Sequence, residues 1–244
     1  TWDGAANTNW DDDGNWNSTG ITDRIPTDAD DVIIPDTSSL NNPTLRQNQD
    51  VKSLTIATDG TVVGAGYTII IHDEGDGSGG TDQYAAWIQG IISGELSLDQ
   101  RTEETGYLRL TPSSGNIHDL TINHANCVAT LGYDASITGN LTITAGQLTT
   151  GSNKALTVTG DVNINGSSSI LTTNSSAVTI GALSTTASGI YNATDNAAGT
   201  IINSRHSSNG RGLSCGGVSS FVHNNGLVVF QGASAGIQGI LING

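Results

Sequence analysis

The chain has no Met, 4 Pro, 2 Phe and 2 Cys in 244 residues, and 8 Lys and Arg against 23 Asp and Glu. Each shortage closes a route. With 35% hydrophobic and 5% aromatic residues, a thick globular core is hard to assemble. A thin one is not, because each coil of a solenoid needs only a few inward aliphatic side chains, and its neighbours complete their burial. The net charge of −15 repels nucleic acid and anionic membrane surfaces at long range, so neither is expected as a partner. No apolar run approaches the roughly 18 residues of a membrane span, so membrane insertion is not expected, and no charged-then-apolar leader opens the chain. Without Met, the polypeptide reads as processed or excerpted.

Cysteine is equally uninformative about redox compartment. Cys127 and Cys215 lie 88 positions apart. Coils of about 21 residues stacked about 4.8 Å apart would separate them by roughly four coils. A disulfide needs Cα atoms within about 7 Å, so two unpaired thiols are expected.

What the chain does have is Gly, 32 residues of it, and a phrase that repeats. Leu120-Thr121-Ile122, Leu141-Thr142-Ile143, Val162-Asn163-Ile164 and Leu183-Ser184-Thr185 recur at steps of 21, and Ile137, Val158 and Ile180 form a second row at steps of 21 and 22. Apolar, polar, apolar alternation is the pattern of a strand with one buried face. The predicted fold is therefore all-β: a single-stranded parallel β-helix, or β-solenoid, with coils of about 21 residues and right-handed winding. Its core holds Leu120, Ile122, Leu141, Ile143, Val162, Ile164 and Leu183. Gly139, Gly146, Gly151, Gly160, Gly166 and Gly181 are read as corners needing positive φ. Thr, Asn and Ser should stack as polar ladders outside. Val51 to Ile56 has the same spelling as Ile117 to Ile122, 66 residues later, about three coils on.

Three regions follow. Residues 1–36 form a Trp- and Asp-rich capping segment, 37–217 the solenoid with an irregular insertion around 73–106, within which Ala85 to Ile92 and Leu96 to Leu98 can return to the wall as strands, and 218–244 a terminal coil or hairpin. The last region turns at Asn225-Gly226 and is expected to continue into a longer protein, because a free solenoid end should carry a polar cap.

In the first region, Trp2-Asp3-Gly4, Asn9-Trp10, Asn15-Trp16, Ile25-Pro26 and Asp30-Asp31-Val32-Ile33-Ile34 resemble the opening of secreted and virion β-solenoid repeat proteins. These include phage fibre or decoration proteins and bacterial adhesin-like surface proteins. The stretch FVHNNGLVVFQG (221–232) is similar to another element of the same proteins. The resemblance implies a parallel β-helix in a virion or at an extracellular cell surface. No catalytic motif travels with it.

Two readings of Trp2, Trp10 and Trp16 stay open. They cap the first coil with large apolar area, which is the favoured reading, or they form a sugar platform that binds glycans. Acidic clusters at residues 11–13 and at Asp28, Asp30 and Asp31 read as solvated or strand-leading. Asp73, Asp76 and Asp82, with Glu74, could hold calcium, but they match no known calcium-loop spacing and read better as a solvated loop. No cofactor is expected. Paired carboxylates for glycan hydrolysis would have to come from Asp119 and Asp161, separated by Asn140, or from Glu95, Glu103 and Glu104. An outward polar ladder is the simpler account of the first set. His118 and His124 lack a zinc pattern. The expected function is non-enzymatic: a structural virion or cell-surface solenoid whose partners are neighbouring virion or surface proteins, with homo-oligomers allowed. Alternatives are a glycan-binding adhesin module and, third, a polysaccharide-degrading enzyme.

Overall fold

A computed structural model describes residues 1–18, 23–72, 84–101, 105–203, 211–216, 219–231 and 239–242. The described chain winds as a β-solenoid with a turn length of about 22 residues. Each turn visits the same three walls in the same order, and every strand pairing is parallel. The first wall stacks Asp31–Ile34, Ser53–Ile56, Tyr84–Ile88, Thr105–Leu110, 128–131, 147–149, Ile170–Thr172, Ile190–Asn192 and Ser220–Val222. The second begins with Thr61–Val63 and Ile91–Ser93, passes Ser114, and continues through Ala135–Ile137, 156–158, 178–180, Thr200–Ile202 and Val228–Phe230. The third stacks Gln49–Val51, Tyr67–Ile71, Leu96–Gln100, 117–122, 141–143, 162–164, 183–185, Arg211–Cys215 and Gly239–Ile242.

Short alternating segments make this arrangement because inward side chains of one coil land on inward side chains of the next, and the backbone pairs with both neighbours. Leu98, Leu120, Leu141, Val162, Leu183 and Leu213 stand in register down the third wall. Ile71, Gln100, Ile122, Ile143, Ile164, Thr185 and Cys215 form its companion column. All seven predicted core residues are buried, and Ile137, Val158 and Ile180 share a register on the second wall. Cys127 and Cys215 are both buried and form no disulfide.

Three expectations need correcting and one is met. Val51 to Ile56 does not repeat Ile117 to Ile122: Val51 ends a third-wall strand, whereas Leu54 and Ile56 lie on the first wall. The alternation is the same on every wall, so spelling alone does not fix the wall. Within 73–106, the stretches from Ala85 to Ile92 and from Leu96 to Leu98 do return to the solenoid as strands, since residues 84–101 supply one strand to each wall. Asn225-Gly226 does not close a hairpin; both neighbouring strands pair parallel with the previous coil, and the turn carries the chain from the first wall to the second. Finally, of the six corner glycines only Gly146 and Gly151 have positive φ. Gly139, Gly160 and Gly181 are required by close approach: a Cβ on Gly160 would meet the Gly139 carbonyl oxygen at 2.4 Å, and one on Gly181 would meet that of Gly160 at 2.3 Å.

Not all of the interior is aliphatic. Thr150, Thr173, Ser176, Thr194 and Thr200 are buried, and their hydroxyls are satisfied locally, as a dry interior demands. Ser176 Oγ donates to Thr150 Oγ1 (2.7 Å), Thr194 Oγ1 donates to the Ser176 carbonyl (2.8 Å), and the Tyr191 hydroxyl bonds Thr200 Oγ1 (2.8 Å).

Candidate functional site on the outer surface

The Trp segment sits on the edge of the first coil. The Trp2 amide donates to the Ile33 carbonyl (2.9 Å), while the Trp10 amide donates to Thr44 O (3.2 Å) and the Thr44 amide to Thr8 O (2.7 Å). Trp16 meets Trp2 and Trp10 edge to face, with ring centroids 5.0 and 4.8 Å apart. The Trp16 indole donates to Trp10 O (2.8 Å) and the Trp2 indole to Asn41 O (2.6 Å). Buried Asn15 holds the loop by accepting from the amides of Ala6 (2.9 Å) and Asn7 (2.8 Å). All three indoles are at most 2% exposed, so their faces are spent on one another and on the coil beneath. The glycan platform built on Trp2, Trp10 and Trp16 is thereby corrected, since no ring face is left for a sugar.

The acidic groups nearby are also engaged. Asp11 accepts from Gln47 (3.1 Å) and Gln49 (2.7 Å), and Asp12 from the Gly14 amide (3.1 Å). Asp31 accepts from Ser53 Oγ at 2.7 Å. Asp30 takes bonds from the Thr27 amide and hydroxyl, both 2.8 Å, and from Arg24. Burial pushes the Asp30 carboxyl up, but these bonds and the guanidinium charge outweigh it and hold the group below its ordinary value.

Asp119 and Asn140 form the predicted corner ladder: Asp119 accepts from the Asn140 amide (2.6 Å) and Asn140 Oδ1 from the Asp161 amide (2.9 Å). Glu95 is exposed. Glu103, Glu104, Asp73, Glu74, Asp76 and Asp82 lie outside the described residues. Among the described residues no group of three or more His, Cys, Asp or Glu comes together to hold a metal, and His118 and His124 belong to none.

The outer surface carries one arrangement that the sequence reading did not single out. Trp87 and Arg109 face outward at paired positions of the first wall. The Arg109 guanidinium lies 4.7 Å from the Trp87 ring and 4.1 Å from the Tyr133 ring one coil further on. Lys154, in the coil after that, places its ammonium 5.8 Å from Tyr133. Ring, cation, ring and cation thus alternate along the long axis. Tyr107, two residues before Arg109 and therefore on the same face, is 42% exposed, and Tyr133 is 37% exposed. The spacings of 22, 24 and 21 residues from Trp87 to Arg109, Tyr133 and Lys154 follow the coil length. They were the available signal, hidden because the residue type changes at each step. Compared with family models, curated proteins and solved structures, the chain matches none.

Proposed function

We propose that this chain is a non-enzymatic structural β-solenoid, a rigid segment of a phage virion fibre or decoration that spaces or presents neighbouring parts. The observation that carries this reading is the parallel hydrogen-bonded stacking of three walls along the coil axis, with like residues in register. Such stacking couples each coil to its neighbours and resists bending. The Trp cap supports it, because a closed edge prevents uncontrolled strand addition at that end. The resemblance of residues 1–36 to virion and surface solenoids supplies the setting. Other virion proteins, or further copies of the chain, are the partners that suit a rod.

Immunogold labelling of purified particles and of intact cells from the source culture tests the assignment. Label on particles supports the virion reading. Label confined to the cell surface moves the same rod to a bacterial fibre or adhesin. Turnover of any member of a broad glycan panel by the purified chain overturns the non-enzymatic role.

A further inference from the structure

The geometry points to the strip Trp87, Tyr107, Arg109, Tyr133 and Lys154 as a binding surface for a carboxylate-bearing acidic polysaccharide, laid along the long axis of the solenoid. This goes beyond the scaffold role and holds whether the rod belongs to a particle or to a cell. The first argument is charge. The chain carries −15 overall, and Arg24, Lys52 and Arg101 each pair with an aspartate. Arg109 and Lys154 pair with none among the described residues; their contacts are the two rings and a 3.2 Å bond from Arg109 Nε to Thr111 Oγ1. Asp134, the carboxylate beside Tyr133, accepts the Ala155 amide at 2.8 Å.

The second argument is preorganisation. Ring contacts on both sides fix the guanidinium plane, and its terminal nitrogens make no bond to another described residue. A held guanidinium meets a carboxylate in the planar two-bond geometry that gives strong, oriented recognition. The third is shape. Tyr107 and Tyr133 are exposed aromatic side chains, and they lie beside Arg109. The exposed parts of these two side chains offer apolar surface to the C–H groups of sugar rings, while the sugar carboxylates reach Arg109 and Lys154. Single-stranded nucleic acid also stacks on rings beside cations, but it carries a phosphate on every nucleotide, about one per 3.4 Å of strand, and is repelled by the acidic remainder of this chain. A glycan with one carboxylate per sugar or fewer tolerates that field, which salt screens within about 8 Å.

Calorimetric titration of the full chain with oligogalacturonate, its methyl-esterified counterpart and oligothymidylate tests the proposal. Oligogalacturonate should bind, more weakly as salt rises, and Arg109→Gln and Lys154→Gln should each weaken it by about tenfold or more, with Arg109→Lys only partly restoring it. Thermal unfolding of each variant, together with circular dichroism, separates loss of the site from loss of the fold. Lys154→Gln, at a partly exposed position, provides the control if changes at Arg109 unfold the chain. No binding of oligogalacturonate at millimolar concentration, equal binding by the charge variants, equal binding of the methyl ester, or tighter binding of oligothymidylate overturns it.

Discussion

At the scale of single residues, two positions report on how tightly the coils are stacked. Gly160 has no room for a side chain, since its Cβ would lie 2.4 Å from the Gly139 carbonyl oxygen and 2.6 Å from Asn140 Oδ1. Gly160→Ala must push apart two hydrogen-bonded coils, at a cost of about 1–3 kcal/mol, read as a lower urea midpoint. Tyr191 is buried with its hydroxyl on Thr200. Burial pushes its ionisation up, outweighing the opposing hydrogen bonds from Thr200 and Thr173. The unfolded phenol loses its proton near pH 10 while the folded one keeps it. The contribution of Tyr191 is therefore intact below about pH 10 and is lost as pH rises towards the folded value. Tyr191→Phe should flatten this part of the alkaline loss in urea melts run from pH 8 to 11. An equally steep loss in the variant would assign it to other groups.

Among elements, the Trp segment has the clearest separable role. Trp16 sits between the other two indoles, so Trp16→Ala should cost about 3–5 kcal/mol within the cap. It should also uncover the first-coil edge, seen as concentration-dependent association in sedimentation. A stable, monomeric variant would show that the edge needs no cover. The cap was legible in composition, because three of the four Trp fall in the first 16 residues and large apolar side chains have little else to cover in so thin a core. The third wall was legible too, since Leu120, Leu141, Val162 and Leu183 repeat both type and spacing. The first wall was not. Gly106, Ala129, Leu148, Leu171, Tyr191 and Phe221 stand in register and vary widely in size, because what must stay constant there is the volume shared with the facing walls. Buried Thr150, Thr173 and Thr194 were hidden for a related reason: a threonine inside and one outside are spelled alike, and only the hydrogen bonds separate them. The ring and cation strip escaped because its regularity lies in position while its chemistry alternates.

For the whole molecule, stability should behave as a sum over coils and their interfaces. Removing residues 140–160 takes out one segment from each wall and leaves Leu120 to stack on Val162 in the register it now has with Leu141. That chain should remain folded, with its far-ultraviolet circular dichroism retained and its thermal midpoint lowered by a few degrees, about 2–4 °C per kcal/mol for a chain of this size. Removing only 140–149 breaks the phase of all three walls and should abolish cooperative melting. If both deletions melt alike, the coil is not the unit of construction. The two sulfhydryls acquire a use from this architecture. Cys127 and Cys215 are shielded in turns about four coils apart, so an alkylating reagent reaches either only when its own turn unwinds. Their relative labelling rates would show whether turns come apart one after another or all at the same moment, without any probe being added.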